Sequence, residues 1–166
     1  MMRRFVLAAA TIASLIAIPA PADAQAPADE ALIRASVATT RPARINATDA
    51  AAVAALWSET GTHSGLVYGA RVREGRASIQ QMWATGFSQP ARDAARKLSV
   101  TISGVRFVRP DVAVVDAQNT YHGGQAADGT AKADTAELLF VVLARENGAW
   151  AITASRVVPM IGQPRP

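Results

Sequence analysis

The second half of the chain alternates apolar with polar residues at a period of two, and no other feature restricts its fold as much. In Lys97–Ser103, Leu98, Val100 and Ile102 alternate with Ser99, Thr101 and Ser103, the pattern of a half-buried strand. Gly104 predicts a bulge in it. Arg109-Pro110-Asp111 makes a turn, and Asp111–His122 returns as a second strand. A polar loop, Gly123–Lys132, leads to a long strand, Thr135–Arg145. Asn147-Gly148 is a strong hairpin signal, because both residues accept the positive φ of a two-residue turn. Trp150–Val158 is the last strand, and Pro159–Pro166 is a tail. Four successive strands on short connections make an antiparallel meander.

The first half has a helical period. Asp29 and Glu30 stand where a helix N-terminus favours acids, Leu32, Ile33 and Val37 form an apolar stripe, and Pro42 ends or kinks the helix. Thr48 or Asp49 caps a second helix, with Val53, Leu56 and Trp57 on one face and Gly61 as its stop. Short strands at Thr62–Ser64 and Ala70–Arg73 flank Gly65–Gly69. A third helix starts near Arg76, buries Ile79, Met82 and Trp83, and closes at Gly86 and Pro90. Three helices before a meander define an α+β chain whose helices cover one face of a curved sheet.

The N-terminus reads as an address. Arg3 and Arg4 precede a 14-residue apolar run, Phe5–Ile18, which Pro19 and Pro21 break before the small-x-small site Ala22-Asp23-Ala24. The run is shorter than the about 20 residues of a membrane span, so no stable membrane anchor is expected. Residues 1–24 are expected to be a cleaved export signal, of Sec or twin-arginine type, and residues 25–28 a mobile leader. The product would be periplasmic or secreted.

With 166 residues, 50% of them apolar, the chain supports one core and is not a disordered tail. It has no cysteine, which removes disulfides, thiolate nucleophiles, cysteine zinc sites and iron–sulfur clusters. A net charge of +4 is spread thinly; no aromatics interleave Arg71, Arg73 and Arg76 or Arg92, Arg96 and Lys97, so a nucleic-acid partner is not expected. Two histidines and scattered acids do not make a metal spacing, and no phosphate loop or dinucleotide fingerprint is present, so neither metal nor cofactor is expected. No G-x-S-x-G elbow occurs, and His63-Ser64, adjacent on a strand, point to opposite faces.

The order of elements is familiar. Leu56-Trp57-Ser58-Glu59-Thr60-Gly61, Glu74-Gly75-Arg76-Ala77-Ser78-Ile79, Val105–Val115 and Gly148-Ala149-Trp150-Ala151-Ile152 follow one another as they do in the SnoaL-like branch of the nuclear transport factor 2-like superfamily, which the chain resembles over residues 29–158. The resemblance implies a cone: three N-terminal helices on a strongly curved, mainly antiparallel sheet that encloses a pocket. It also implies a homodimer, and activities that range from isomerases, cyclases and hydrolases to binding modules without chemistry. Ketosteroid isomerases of this type carry a general-base aspartate on the first strand. The matching stretch here is His63-Ser64-Gly65, which has no carboxylate, and their tyrosine–aspartic acid pair has no clear match. That departure speaks against a steroid isomerase mechanism.

Hairpin geometry predicts which side chains face the pocket. With Asn147 and Gly148 as the turn, Arg145 opposes Trp150, Leu143 opposes Ile152, Val141 opposes Ala154, and Leu139 opposes Arg156. Trp150 and Ile152 anchor this face inward, and Arg156 goes with it, diagonal to Glu137. The functional reading is that Arg156 binds an anionic or carbonyl oxygen, while Glu137 orients it or acts as acid or base; the bland reading is a structural ion pair. Ala113, Val115, Ala117, Asn119 and Tyr121 form the inward face of the preceding strand, so Asn119 and Tyr121 add hydrogen-bonding groups. His63 is the nearest titrating group, as base, ligand or packed ring. Trp57 and Trp83 belong to the core and wall any open cavity, Tyr68 is read as a lid or rim residue, and His122, beside Gly123-Gly124, is expected to be solvated. The outer face, with Leu138, Phe140, Val142, Thr153, Ser155 and Val157, is too apolar for bare solvent and predicts contact with a second copy. Two readings follow: a small-molecule binder with cofactor-free acid–base chemistry, or a non-catalytic binding or dimeric assembly module with a filled pocket.

Overall fold

The computed structural model describes residues 22–65, 71–88, 95–126 and 128–160. Residues 1–21 of the segment read as an export signal, Tyr68, Arg92 and residues 161–166 lie outside this set. The fold is α+β, with helices on one face of a curved, open sheet of six strands. The strands are β1 (Trp57–Gly65), β2 (Arg73–Glu74), β3 (Lys97–Arg109), β4 (Val112–His122), β5 (Thr135–Glu146) and β6 (Ala149–Pro159). Their order is β2-β1-β6-β5-β4-β3, antiparallel at every pairing except β1 with β6. The meander is present as read. Asn147 and Gly148 both take positive φ at the β5–β6 turn, and the β3–β4 register shifts between Ile102 and Gly104.

The helical half departs from the sequence reading. A helix, α1 (Ala22–Arg34), includes the residues read as cleavage site and leader and continues into a π-helical stretch, Ala35–Thr40, and then α2 (Arg41–Asn46). Pro42 therefore does not end the helical run. Its ring excludes the usual bond to the preceding turn, and the wider π turn leaves room for it, with Arg41 N–H donating to Ser36 O. The widening also sets which side chains are buried. Steps of four residues drift around an α-helix of 3.6 residues per turn, yet Ile33, Val37, Arg41 and Ile45 are all buried, because the wider turn offsets the drift. Leu32, assigned to the stripe, is 60% exposed instead.

The second predicted helix is also shorter. Asp49 caps α3 (Ala50–Ala54), its carboxylate accepting from Ala52 N–H at 2.9 Å, but the chain turns extended at Trp57. Leu56 O accepts Ile152 N–H at 2.8 Å, so pairing with β6 outcompetes helix extension. Gly61 is not a helix stop; it lies inside β1, where an added Cβ would stand 2.8 Å from Ile152 O and 3.1 Å from Trp57 Cδ1. Only glycine permits that approach of two strand backbones. The third helix, α4 (Arg76–Ser88), buries Ile79, Met82 and Trp83 as expected. Asp29, nearly buried, pairs with Arg145, whose guanidinium stacks 5.1 Å from the Trp150 centroid; this ties α1 to the β5–β6 hairpin.

One bulge decides the inner face of β6. Leu143 opposes Ile152 as predicted, but Val142 opposes Ala154, so Thr153 is an extra residue. Beyond it, Val141 opposes Ser155, Leu139 opposes Val157, and Phe140 opposes Arg156. The predicted pairs Val141–Ala154 and Leu139–Arg156 are thus shifted by one. Ser155 and Val157 face the helices, and Arg156 and Val158 take their place outside.

Candidate functional site

Five fully buried polar side chains gather on the helix-covered face: Arg41, His63, Asn119, Glu137 and Ser155. They fall into two groups. His63 on β1 is level with Ser155 on β6, and His63 Nδ1 lies 2.7 Å from Ser155 Oγ. Glu137 on β5 is level with Asn119 on β4, and Arg41 Nη1 donates to Asn119 Oδ1 at 3.1 Å. Ser155 opposes Val141, four strand positions from Glu137, a separation of roughly 13 Å along a strand. Leu139, Val157 and Ala117 fill the strip between the groups. The face therefore offers polar ends and an apolar middle.

Aromatic rings surround the His63 end. Trp57 meets the imidazole edge-on at 5.8 Å, Trp83 lies tilted against it at 6.0 Å, and Phe87 follows Trp83 at 5.4 Å. Tyr121 is half-buried beside the other end, with the Arg96 guanidinium 5.7 Å from its ring centroid.

Burial, and then the Arg41 and Arg156 charges, depress the His63 pKa to about 3, so the ring is neutral at neutral pH. Glu137 moves the other way: burial raises its carboxyl above the usual range. Tyr121, Asn119, Arg41 and Arg96 oppose that rise without cancelling it. Tyr121 and Asn119 lie close enough to favour the ionised form, yet neither Glu137 oxygen nor Asn119 Nδ2 has a well-formed hydrogen bond among the described residues. Glu137 is only 1% exposed. A buried polar group without a partner costs about 1–3 kcal/mol, so this end of the face has hydrogen-bonding capacity that the described residues do not fill.

The sequence-derived residues divide accordingly. Glu137, His63, Asn119, Trp57 and Trp83 are buried on one face, with Tyr121 at its margin. Arg156 is corrected. The Thr153 bulge turns it outward, where both its Nη atoms contact Thr62 Oγ1 at 3.2 Å, and it reaches His63 only as a nearby charge. Arg41 and Ser155 were missed. The four-residue spacing of Ile33, Val37, Arg41 and Ile45 aligns only once the π turn is known, and nothing in Ile152-Thr153-Ala154-Ser155 marks a bulge, so neither residue had a local signal. Among the described residues, no three His, Asp or Glu side chains converge as metal ligands.

No protein-family model and no curated protein match the sequence. Solved structures do. An NTF2-like protein with a cystatin-like fold from Novosphingobium aromaticivorans matches 85% of this chain and 88% of its own, with a TM-score of 0.68 at 19% identity. A domain of unknown function with a cystatin-like fold from Nostoc punctiforme matches 81% of this chain and 78% of its own, with a TM-score of 0.68 at 20% identity. A ketosteroid isomerase-like protein from Erwinia carotovora atroseptica matches 78% and 95%, with a TM-score of 0.63 at 18% identity. At these identities the likeness defines the fold: the chain has the NTF2-like, cystatin-like architecture that the sequence resemblance implied.

Proposed function

We propose that the protein binds a small, partly apolar molecule on the helix-covered face, through a carbonyl or carboxylate oxygen, and carries out cofactor-free acid–base chemistry on it. The observation that carries this reading is the set of buried polar atoms without a well-formed hydrogen bond, both Glu137 carboxyl oxygens and Asn119 Nδ2, beside the buried Arg41 guanidinium that holds Asn119 Oδ1. Arg41 takes the role the sequence reading gave to Arg156. Its permanent charge and the Asn119 amide hold the oxygen, Leu139 and Val157 contact the apolar body, and His63 serves as a neutral hydrogen-bonding group. Glu137 is the acid or base, since a carboxyl with a raised pKa exchanges protons closer to neutrality. The N-terminal segment, read as an export signal, supports a periplasmic or secreted location for this activity.

The test is a thermal-shift screen of the protein with small carboxylates, enones, lactones and epoxides. A ligand at 100 times its Kd adds about 2.7 kcal/mol to the parent. The same compound is expected to leave Arg41→Met unshifted and to stabilise Arg156→Met as it does the parent. Stabilisation lost in Arg156→Met but kept in Arg41→Met would sink the assignment.

A second reading, an assembly module, is favoured by the outer face of the β5–β6 hairpin. Leu138, Phe140 and Val158 are 39%, 41% and 41% exposed there, and Leu138 opposes Val158. The occupant would be a second copy of this chain. Light scattering at micromolar concentration should then give a dimer and Phe140→Glu a monomer; a monomeric parent removes this reading.

A further inference from the structure

On the opposite face of the sheet from the buried site, three side chains form a continuous hydrogen-bonded chain. Ser99 Oγ lies 2.7 Å from His122 Nε2, and His122 Nδ1 lies 2.7 Å from Asp134 Oδ2. The strands set this arrangement. Ser99 on β3 opposes Thr120 on β4, so His122 is its diagonal neighbour on the same face, within reach of a side chain. Asp134 stands just before β5, whose Thr135 is level with Tyr121. The loop returning from Gly123 and Gly124 therefore brings it alongside the imidazole.

The direction of the chain follows from the donors available. Asp134 is ionised, its carboxyl held below the usual range first by the bond to His122. A carboxylate only accepts, so His122 Nδ1 carries the proton. In the neutral imidazole Nε2 is then the acceptor, and the Ser99 hydroxyl must donate to it. This is the polarity of a serine nucleophile, its general base and the carboxylate that orients the base. All three groups are open to solvent: Ser99 is exposed, and the His122 and Asp134 side chains are 47% and 57% accessible. Lys97 opposes His122 on the same face and is the cation available to a developing oxyanion.

We propose that Ser99, His122 and Asp134 form an acyl-transfer site for small activated carboxylic esters. Ser99 Oγ attacks the ester carbonyl carbon, and its proton passes to His122 Nε2. The tetrahedral intermediate expels the alcohol, which takes that proton, leaving an ester on Ser99. Water, deprotonated by His122, then attacks the acyl carbon, releasing the carboxylic acid and restoring the serine.

The probe is p-nitrophenyl acetate on the purified full-length protein, read as p-nitrophenolate release and as acetyl on Ser99 by peptide mass mapping. The parent is expected to release a burst close to one equivalent and to carry acetyl on Ser99. Ser99→Ala should remove both. His122→Gln and Asp134→Asn should each slow acylation by about 100-fold or more. Thr101→Ala, on the same strand and outside the chain of bonds, should behave as the parent, with all four variants melting near it because the residues are exposed. Equal release by parent and Ser99→Ala, or acetyl found only on lysines, would overturn the proposal.

Discussion

Replacing Trp57 by alanine is expected to cost about 3–5 kcal/mol of folding stability, the usual range for truncating a fully enclosed aromatic side chain. Trp57 is completely buried where α3 gives way to β1, and it is one of the largest enclosed side chains. Its ring packs on the edge of His63, and its carbonyl accepts Arg76 Nε at 2.8 Å, which fastens the start of α4. The backbones around it are already close at Gly61, so the structure has little freedom to collapse into the void. A domain of this size has about 5–15 kcal/mol in total, so the melting temperature should fall by roughly 10 °C. Leu32→Ala, on the exposed side of α1, should change stability by no more than about 0.5 kcal/mol. Thermal and urea unfolding of both variants check the contrast, and equal losses would refute the packing assigned to Trp57.

Lowering the pH from 7 to 4 is expected to remove about 3 kcal/mol of stability through His63 alone. Its folded pKa of about 3 lies below the 6.5 of an unperturbed histidine. Above pH 6.5 the ring is neutral in both states, and its contribution is fully present. As the pH falls, the unfolded chain takes up a proton that the folded chain refuses, and stability declines until the pH passes through the folded value. Glu137 has the opposite sign: with its folded pKa raised, its contribution is present below the unfolded carboxyl value and is lost as the pH rises through the folded one. The variant His63→Gln should therefore lose the acid slope and keep the Glu137 slope. Urea midpoints at pH 7, 5 and 4 measure both. A parent-like loss in His63→Gln would show that the fold does not hold the imidazole neutral.

The strands were legible because alternation is a local property. Ala113, Val115, Ala117 and Asn119 all face the core as read, and within the four-strand meander each strand end fell within a few residues of its observed place, except the end of β3. That strand runs on through the Gly104 bulge to Arg109, past the point where its simple alternation stops. The α3–β1 boundary was misread for the opposite reason. Val53, Leu56 and Trp57 fit a helical face, but the competing partner, the backbone of Ile152, is almost a hundred residues away in sequence. Local pattern cannot weigh a contact of that separation.

The candidate site shows the same division. Glu137 and Asn119 share a face by simple alternation from the turn and the strand ends, with no bulge between them in the β4–β5 register. Arg156 and Ser155 exchanged faces because one extra residue, Thr153, separates them from the turn, and a shift of one reverses every later side chain. Ser99, His122 and Asp134 could each be placed on a strand or beside one. Their connection depends on the register of β3 with β4 and on the return of a loop, neither of which leaves a periodic trace.

By itself, then, the sequence determined the α+β class, the four-strand meander, the Asn147-Gly148 turn and the inward placement of Glu137, Asn119 and Ile152, since each follows from periods and turn chemistry within a few residues. Only the tertiary structure decided that Arg41 enters the site, that Ser155 rather than Arg156 meets His63, and that an exposed serine, histidine and aspartate join. These depend on a π turn, a bulge and a strand register. All three are chosen by long-range backbone pairing and packing, whose free energy exceeds the local preferences that the sequence displays.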